Sequence, residues 1–206
     1  MKRRVIKLFG IFAVLFLVAN SLSSWTNNTV KYNKPDANYT ATVTPEQKSK
    51  FNFLTIGKSF VAFKEALAFK ESKGKYNRVN IYGYLGKYQF GKSTLKRFKI
   101  YDTAEFLKNP ELQEDAFVAL CSVNKWILQR DIKRFKGKKI NGVEVTESGI
   151  LAAAHLAGAG NVKKYLRSYG AFKFEDAFGT TIHYYLKKFA GYDTSLIEAN
   201  RMPKII

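Results

Sequence analysis

The chain has 206 residues, 46% hydrophobic and 25% charged, which excludes a disordered polymer and supports one domain with a proper core. Lysine and arginine number 35 against 16 acidic residues, and the formal net charge of +19 will seek a polyanion. One cysteine, Cys121, excludes an internal disulfide and reads as a buried, inert thiol; with only two histidines, His155 and His183, a Cys/His metal cluster is excluded too.

Lys2, Arg3, Arg4 and Lys7 precede an apolar run, Leu8 to Ala19, broken only by Gly10, and small and polar residues follow at 20–24. That order predicts a secretory signal over residues 1–23, with cleavage near Ser23-Ser24. The run is shorter than the ~20 residues of a membrane-spanning helix. Export to the periplasm, the cell wall or the medium is the expectation. Without the signal, 31 basic residues stand against 16 acidic ones, a net +15. For an exported chain the nearest polyanions are the anionic polymers of the cell wall, and no nucleic-acid partner is expected: neither an aromatic-plus-basic strand motif nor a helix-turn-helix pattern stands out.

Residues 24–44 are rich in Asn, Thr and Lys without a sustained period and read as a linker. Thr44-Pro45-Glu46-Gln47 combines a helix cap, a first-turn proline and a capping-box Gln, so the domain is expected over 45–206. Phe60, Phe63, Lys64, Leu67 and Lys70/Glu71 mark a helix that ends at Glu71, before Gly74. Asp102 reads as the cap of a short helix with Glu105 as its first-turn acid. Asn109-Pro110-Glu111 starts the longest helix, sustained by Leu112, Ala116, Ala119/Leu120, Val123 and Trp126/Ile127. Residues 136–142, with Asn141-Gly142, read as a turn or short hairpin. Thr146-Glu147-Ser148 starts a helix through Leu156, Asn161 caps a short one through Tyr169, and a last helix covers roughly Thr180 to Phe189. The expected fold is mainly α, a single domain with a small β/turn region.

Glu71 ends its apolar helix and is followed by Ser72-Lys73-Gly74-Lys75-Tyr76-Asn77, then by Tyr82-Gly83-Tyr84-Leu85-Gly86-Lys87-Tyr88-Gln89-Phe90. A glycan-cleaving site with one carboxyl needs such parts. A carboxyl that works as an acid is held in a dry, aromatic-lined cleft. Glycines let the backbone approach a sugar ring, and tyrosines give it an amphipathic wall. Taken alone, Glu71 would be a surface residue at a helix end, and the tyrosines are equally explained as packing aromatics.

Together these runs resemble the lysozyme-like, soluble lytic transglycosylase family of peptidoglycan-cleaving enzymes, over about residues 51–190. The family's Gly-Leu-Met-Gln is matched by Gly86-Lys87-Tyr88-Gln89. Its Ala-Tyr-Asn-Ala-Gly-x-Gly-x-Val is matched by residues 154–162, with His155 and Leu156 in place of the Tyr and Asn. A Glu-Thr-x-x-Tyr pattern is echoed by Thr180-Thr181-Ile182-His183-Tyr184. The resemblance implies a lysozyme-like fold (α+β with a small β/turn region) acting on peptidoglycan glycan strands. Glu71 would be the catalytic residue, with Ser72, Gly86, Tyr88, Gln89, His155 and Tyr184 as substrate-binding residues. His155 stands either as a polar wall residue in place of the missing Asn or as a partly buried histidine bonded to backbone.

The implied reaction cleaves the β-1,4 bond between N-acetylmuramic acid and N-acetylglucosamine. Glu71 gives a proton, then takes one from the muramic acid 6-hydroxyl, closing a 1,6-anhydro ring without water, cofactor or metal. A hydrolytic muramidase on the same fold is the alternative, but it wants a second carboxyl, and no acid other than Glu71 stands at a motif position. A non-catalytic wall-binding protein is the other alternative.

Overall fold

The structure, a computed structural model, describes residues 57–205; the expected signal, the linker and the helix start at Thr44 lie outside the described residues. The chain forms α1 (Phe60–Ser72), α2 (Lys92–Arg97), α3 (Thr103–Lys108), α4 (Pro110–Phe135), β1 (Lys139–Ile140), β2 (Val143–Glu144), α5 (Glu147–Arg167) and α6 (Ile182–Lys188). It is mainly helical with one small antiparallel hairpin, in line with the expected class.

Local chemistry explains where these elements begin and end. The Ser59 hydroxyl accepts from Ala62 N at 3.2 Å to open α1, and the Asn109 carboxamide accepts from Leu112 N at 3.0 Å to open α4, with Pro110 in the first turn. Thr146 opens α5 and Thr181 opens α6 in the same way. Asn141 (φ 49°) and Gly142 (φ 79°) form the tight turn between β1 and β2, the expected Asn-Gly signature.

Two details differ from expectation. The two helices expected on either side of residues 157–160 are both present and abut as α5, broken at Gly158, whose φ of 76° and ψ of 149° are open to glycine; only the start of the second differs. Asn161 caps nothing; its Nδ2 donates back to the Ala157 carbonyl at 2.9 Å, across that break. Helix α2 was not expected, because Gly91 precedes it without a side-chain cap bond to announce it.

α5 packs against α4 and α6. The core gathers Phe63 and Leu67 of α1, Phe117 and Leu128 of α4, Ile150 of α5 and Phe189 just past α6. Cys121 lies in this core, and burial pushes its thiol up to about 12, which makes it the inert thiol anticipated. Among the described residues no helix is long and apolar enough to cross a membrane.

Candidate active site

Glu71 sits in the last turn of α1. That helix stops in an αL cap at Lys73 (φ 61°), where the Gly74 N–H reaches back to the Ala68 carbonyl at 3.2 Å. Glu71 Oε1 accepts a hydrogen bond of 2.6 Å from the hydroxyl of Tyr185 on α6, 114 residues away. Burial, then the Glu71 charge and this bond, then the Asp176 charge all push the Tyr185 phenol up, so it is a permanent donor. The bond fixes one carboxyl oxygen and leaves Oε2 for chemistry. Tyr185→Phe is expected to lower turnover roughly tenfold or more, the worth of a hydrogen bond to a charged group, while the protein stays folded. Steady-state rates and melting curves on the same preparation check this.

Residues 79–90 form two successive tight turns beside Glu71. Leu85 pairs with Val79 and with Phe90, and the Asn80 side chain accepts from the N–H groups of Tyr82 and Tyr84. Gln89 holds φ 52°, a strained conformation for a residue with a side chain, and its Nε2 donates to the Gly86 carbonyl at 2.8 Å. Gln89 lines both the recess beside Glu71 and the larger cleft.

Three expected sugar contacts are corrected here. Ser72 is fully buried; its hydroxyl donates to the Lys87 carbonyl at 2.7 Å and accepts from Lys75 N, tying the end of α1 to the 86–89 turn. Tyr88 is fully buried, stacked on Phe117 at 4.1 Å, with its hydroxyl donating to Glu114. Gly86 is buried as well, at φ 75°, and a Cβ there would lie 2.2 Å from Oε1 of Gln113. These residues position the site and do not reach a substrate. Gly86→Ala is expected to destabilise by roughly 2 kcal/mol or more, from the left-handed backbone and the displaced Gln113, which otherwise accepts from Lys87 N at 2.8 Å. Gly83→Ala, also at positive φ but with nothing within 4 Å, should cost only the conformational part, about 1 kcal/mol. Denaturant titration of the pair checks both.

The open space lies between Glu71 and the exposed side of the 79–90 turns. A recess of about 110 Å³ is walled by Glu71, Asn80, Gln89, His155, Asp176 and Phe178, among others. It shares Tyr82, Tyr84, Gln89, His155 and Leu156 with a larger cleft of about 660 Å³. The Tyr82 and Phe178 rings meet edge to face at 5.1 Å, bridging two loops at the mouth of the recess. Glu71, Gln89 and His155 are thus brought together as expected. His155 is bonded to backbone, its Nε2 2.8 Å from the Tyr88 carbonyl, and it also lines the cleft.

Tyr184 does not join them. It is 43% exposed, with the Lys70 and Lys188 ammonium groups 5.7 Å and 5.8 Å from its ring centre, and the tyrosine that meets Glu71 is its neighbour Tyr185. Comparison with protein-family models, with curated proteins and with solved structures finds no match.

Asp176 is the second finding that the sequence did not give up. It lines the recess with Glu71, and its Oδ1 accepts from the N–H groups of Phe178 at 2.9 Å and Thr180 at 2.7 Å. Among the described residues its Oδ2 has no hydrogen-bond partner. The recess is therefore lined by two acidic residues, Glu71 and Asp176.

A charged network braces the site. Glu114 on α4 accepts from Lys64 (2.6 Å), Lys87 (2.8 Å), Tyr88 (2.8 Å) and Tyr76 (2.9 Å), and Lys87 also reaches Glu65 at 2.6 Å. Burial pushes the Glu114 carboxyl up, but the donors together outweigh it and hold it at about 2. Burial alone would lower the Lys87 ammonium, and its bonds to Glu114, Glu65 and Tyr76 raise it instead. The network joins α1, the 86–89 turn and α4, the pieces that set Glu71 against Gln89.

Proposed function

We propose that this chain is an exported peptidoglycan lytic transglycosylase on a lysozyme-like fold. The observation that carries the reading is Glu71, oriented by Tyr185 at 2.6 Å inside an aromatic-walled recess that opens into a glycan-sized cleft. The motif order Glu71, Gly86-Lys87-Tyr88-Gln89 and Ala154–Val162 supports it. Glu71 Oε2 protonates the bridging oxygen of the β-1,4 bond between N-acetylmuramic acid and N-acetylglucosamine as the C1–O bond breaks. The resulting carboxylate then takes the proton of the muramic acid 6-hydroxyl while that oxygen bonds C1. The products are a free N-acetylglucosamine 4-hydroxyl and a 1,6-anhydromuramoyl end. An intramolecular nucleophile is already close and oriented, so one carboxyl serves both steps. The net +15 surface expected of the exported chain brings it to anionic wall polymers through long-range attraction.

Asp176 favours a second reading, hydrolysis. Its unpaired Oδ2 in the recess could take a proton from a water that attacks C1 in place of the 6-hydroxyl, giving a reducing muramic acid end. Mass analysis of the soluble products released from purified peptidoglycan tests both. Anhydromuropeptides support transfer, reducing ends support hydrolysis, and no release at all contradicts the enzyme reading.

A further inference from the structure

Lysine and arginine side chains stand over aromatic rings at several points of this fold, but among the described residues only two of those rings are exposed. They are Phe69 in the last turn of α1, 61% exposed, and Tyr184 on α6. The Lys73 ammonium lies 4.5 Å from the centre of the Phe69 ring. Lys70, the residue after Phe69, and Lys188 lie 5.7 Å and 5.8 Å from the centre of the Tyr184 ring. Lys73, Phe69, Lys70, Tyr184 and Lys188 thus follow one another across α1 and α6, and the Tyr185–Glu71 bond ties those two helices together. Among the described residues none of the three lysines has a carboxylate partner; the ion pairs are made by Lys64, Lys87, Lys125 and Arg167. Glu65, one turn before Phe69, is taken by Lys87 at 2.6 Å.

We propose that this face seats the protein on an anionic phospholipid surface, as a docking contact and not a span. The inference does not rest on the glycan reading of the cleft, and its failure leaves that reading untouched. An exposed phenylalanine by itself is ordinary. Here cations that no acid neutralises flank it, and the two chemistries together select the partner. Three ammonium groups on one face call for an array of negative charge, which the phosphates of anionic lipids supply. The Phe69 ring has no polar atom, so a phosphodiester polymer in water gives it nothing, whereas a bilayer offers apolar chains just beneath its phosphates. Lysine stems run along apolar surface and keep their heads in the polar layer, so the ring can enter while Lys73 stays at the phosphates. Tyr184 suits the same boundary, with an apolar ring and a polar hydroxyl.

The test measures partitioning of the full chain onto vesicles of phosphatidylcholine alone and of an equal mixture with phosphatidylglycerol. Residues 1–56 are the same in every variant, so differences between variants arise in the described part of the chain. The wild-type chain is expected to prefer the anionic vesicles. Combining Lys70→Gln, Lys73→Gln and Lys188→Gln should weaken that binding roughly thirtyfold or more, since one lysine at an anionic surface contributes about fivefold. Combining Lys96→Gln, Arg97→Gln and Lys99→Gln removes the same charge from other exposed positions and should weaken it less than about threefold. Phe69→Ser should weaken it about fivefold or more, with the melting temperature unchanged because the ring is mostly in water. Equal binding to the two kinds of vesicle overturns the proposal. A control triple as damaging as the first triple also overturns it, because net charge alone would then explain the binding. If the first triple loses binding but Phe69→Ser keeps it, the lysines hold phosphates by charge alone, as they would on a soluble polymer, and the bilayer contact is likewise overturned.

Discussion

Glu71→Gln is expected to lower the rate of cell-wall lysis by roughly two to four orders of magnitude, the usual worth of a general acid. The amide keeps the volume of the carboxyl and can still accept from the Tyr185 hydroxyl, so the recess keeps its shape. What disappears is the transferable proton on Oε2. Glycan binding should survive, because the cleft walls, Gln89 and His155 are untouched. A turbidity assay on purified wall, paired with a melting curve, measures the effect. Wild-type rates in the variant would remove Glu71 from the chemistry.

The second large effect is on stability. Glu114→Ala should destabilise the fold by roughly 3 kcal/mol or more, since it strips one acceptor from Lys64, Lys87, Tyr76 and Tyr88 at once. Lys87 is 4% exposed and keeps only Glu65 as an acid partner; the buried Tyr88 hydroxyl loses its acceptor. The pH dependence follows from the direction of the Glu114 shift. Its folded value of about 2 is below the ordinary 4.5, so its contribution is complete above pH 4.5 and is lost as pH falls through about 2. Denaturant melts of wild type and variant should therefore diverge most near neutral pH and converge in acid. A constant gap across that window would place the stabilisation elsewhere.

Much of the helical frame was legible because it is announced locally. Asn109-Pro110-Glu111 and Thr146-Glu147-Ser148 name their helix starts in four residues or fewer, and Asn141-Gly142 names its turn. That Gln89 stands near Glu71 was legible only through the resemblance that Gly86-Lys87-Tyr88-Gln89 carries; both line the recess. Tyr184 was misassigned by one residue, and a helix turns about 100° per residue, which is enough to send one side chain to solvent and its neighbour inward. The signal was present: Ile182, Tyr185, Leu186 and Phe189 make the i, i+3, i+4, i+7 stripe of the buried face, and Tyr184 is off it. Lys87 also carried a signal, since a lysine at a position the resemblance gives to leucine needs a buried acid nearby. Asp176 carried none. It reaches Glu71 through the folding of a loop 105 residues downstream, held by its own backbone bonds, and no local spacing reports that.

Digestion of purified peptidoglycan in oxygen-18 water, followed by mass analysis of the new sugar ends, separates the two outcomes that Glu71 and Asp176 allow. If Glu71 passes the proton and the 6-hydroxyl closes the ring, the new muramic acid ends are 1,6-anhydro and carry no label. Ends that carry one oxygen-18, and that fall away in Asp176→Asn, would contradict the transfer reaction and make the enzyme a hydrolase.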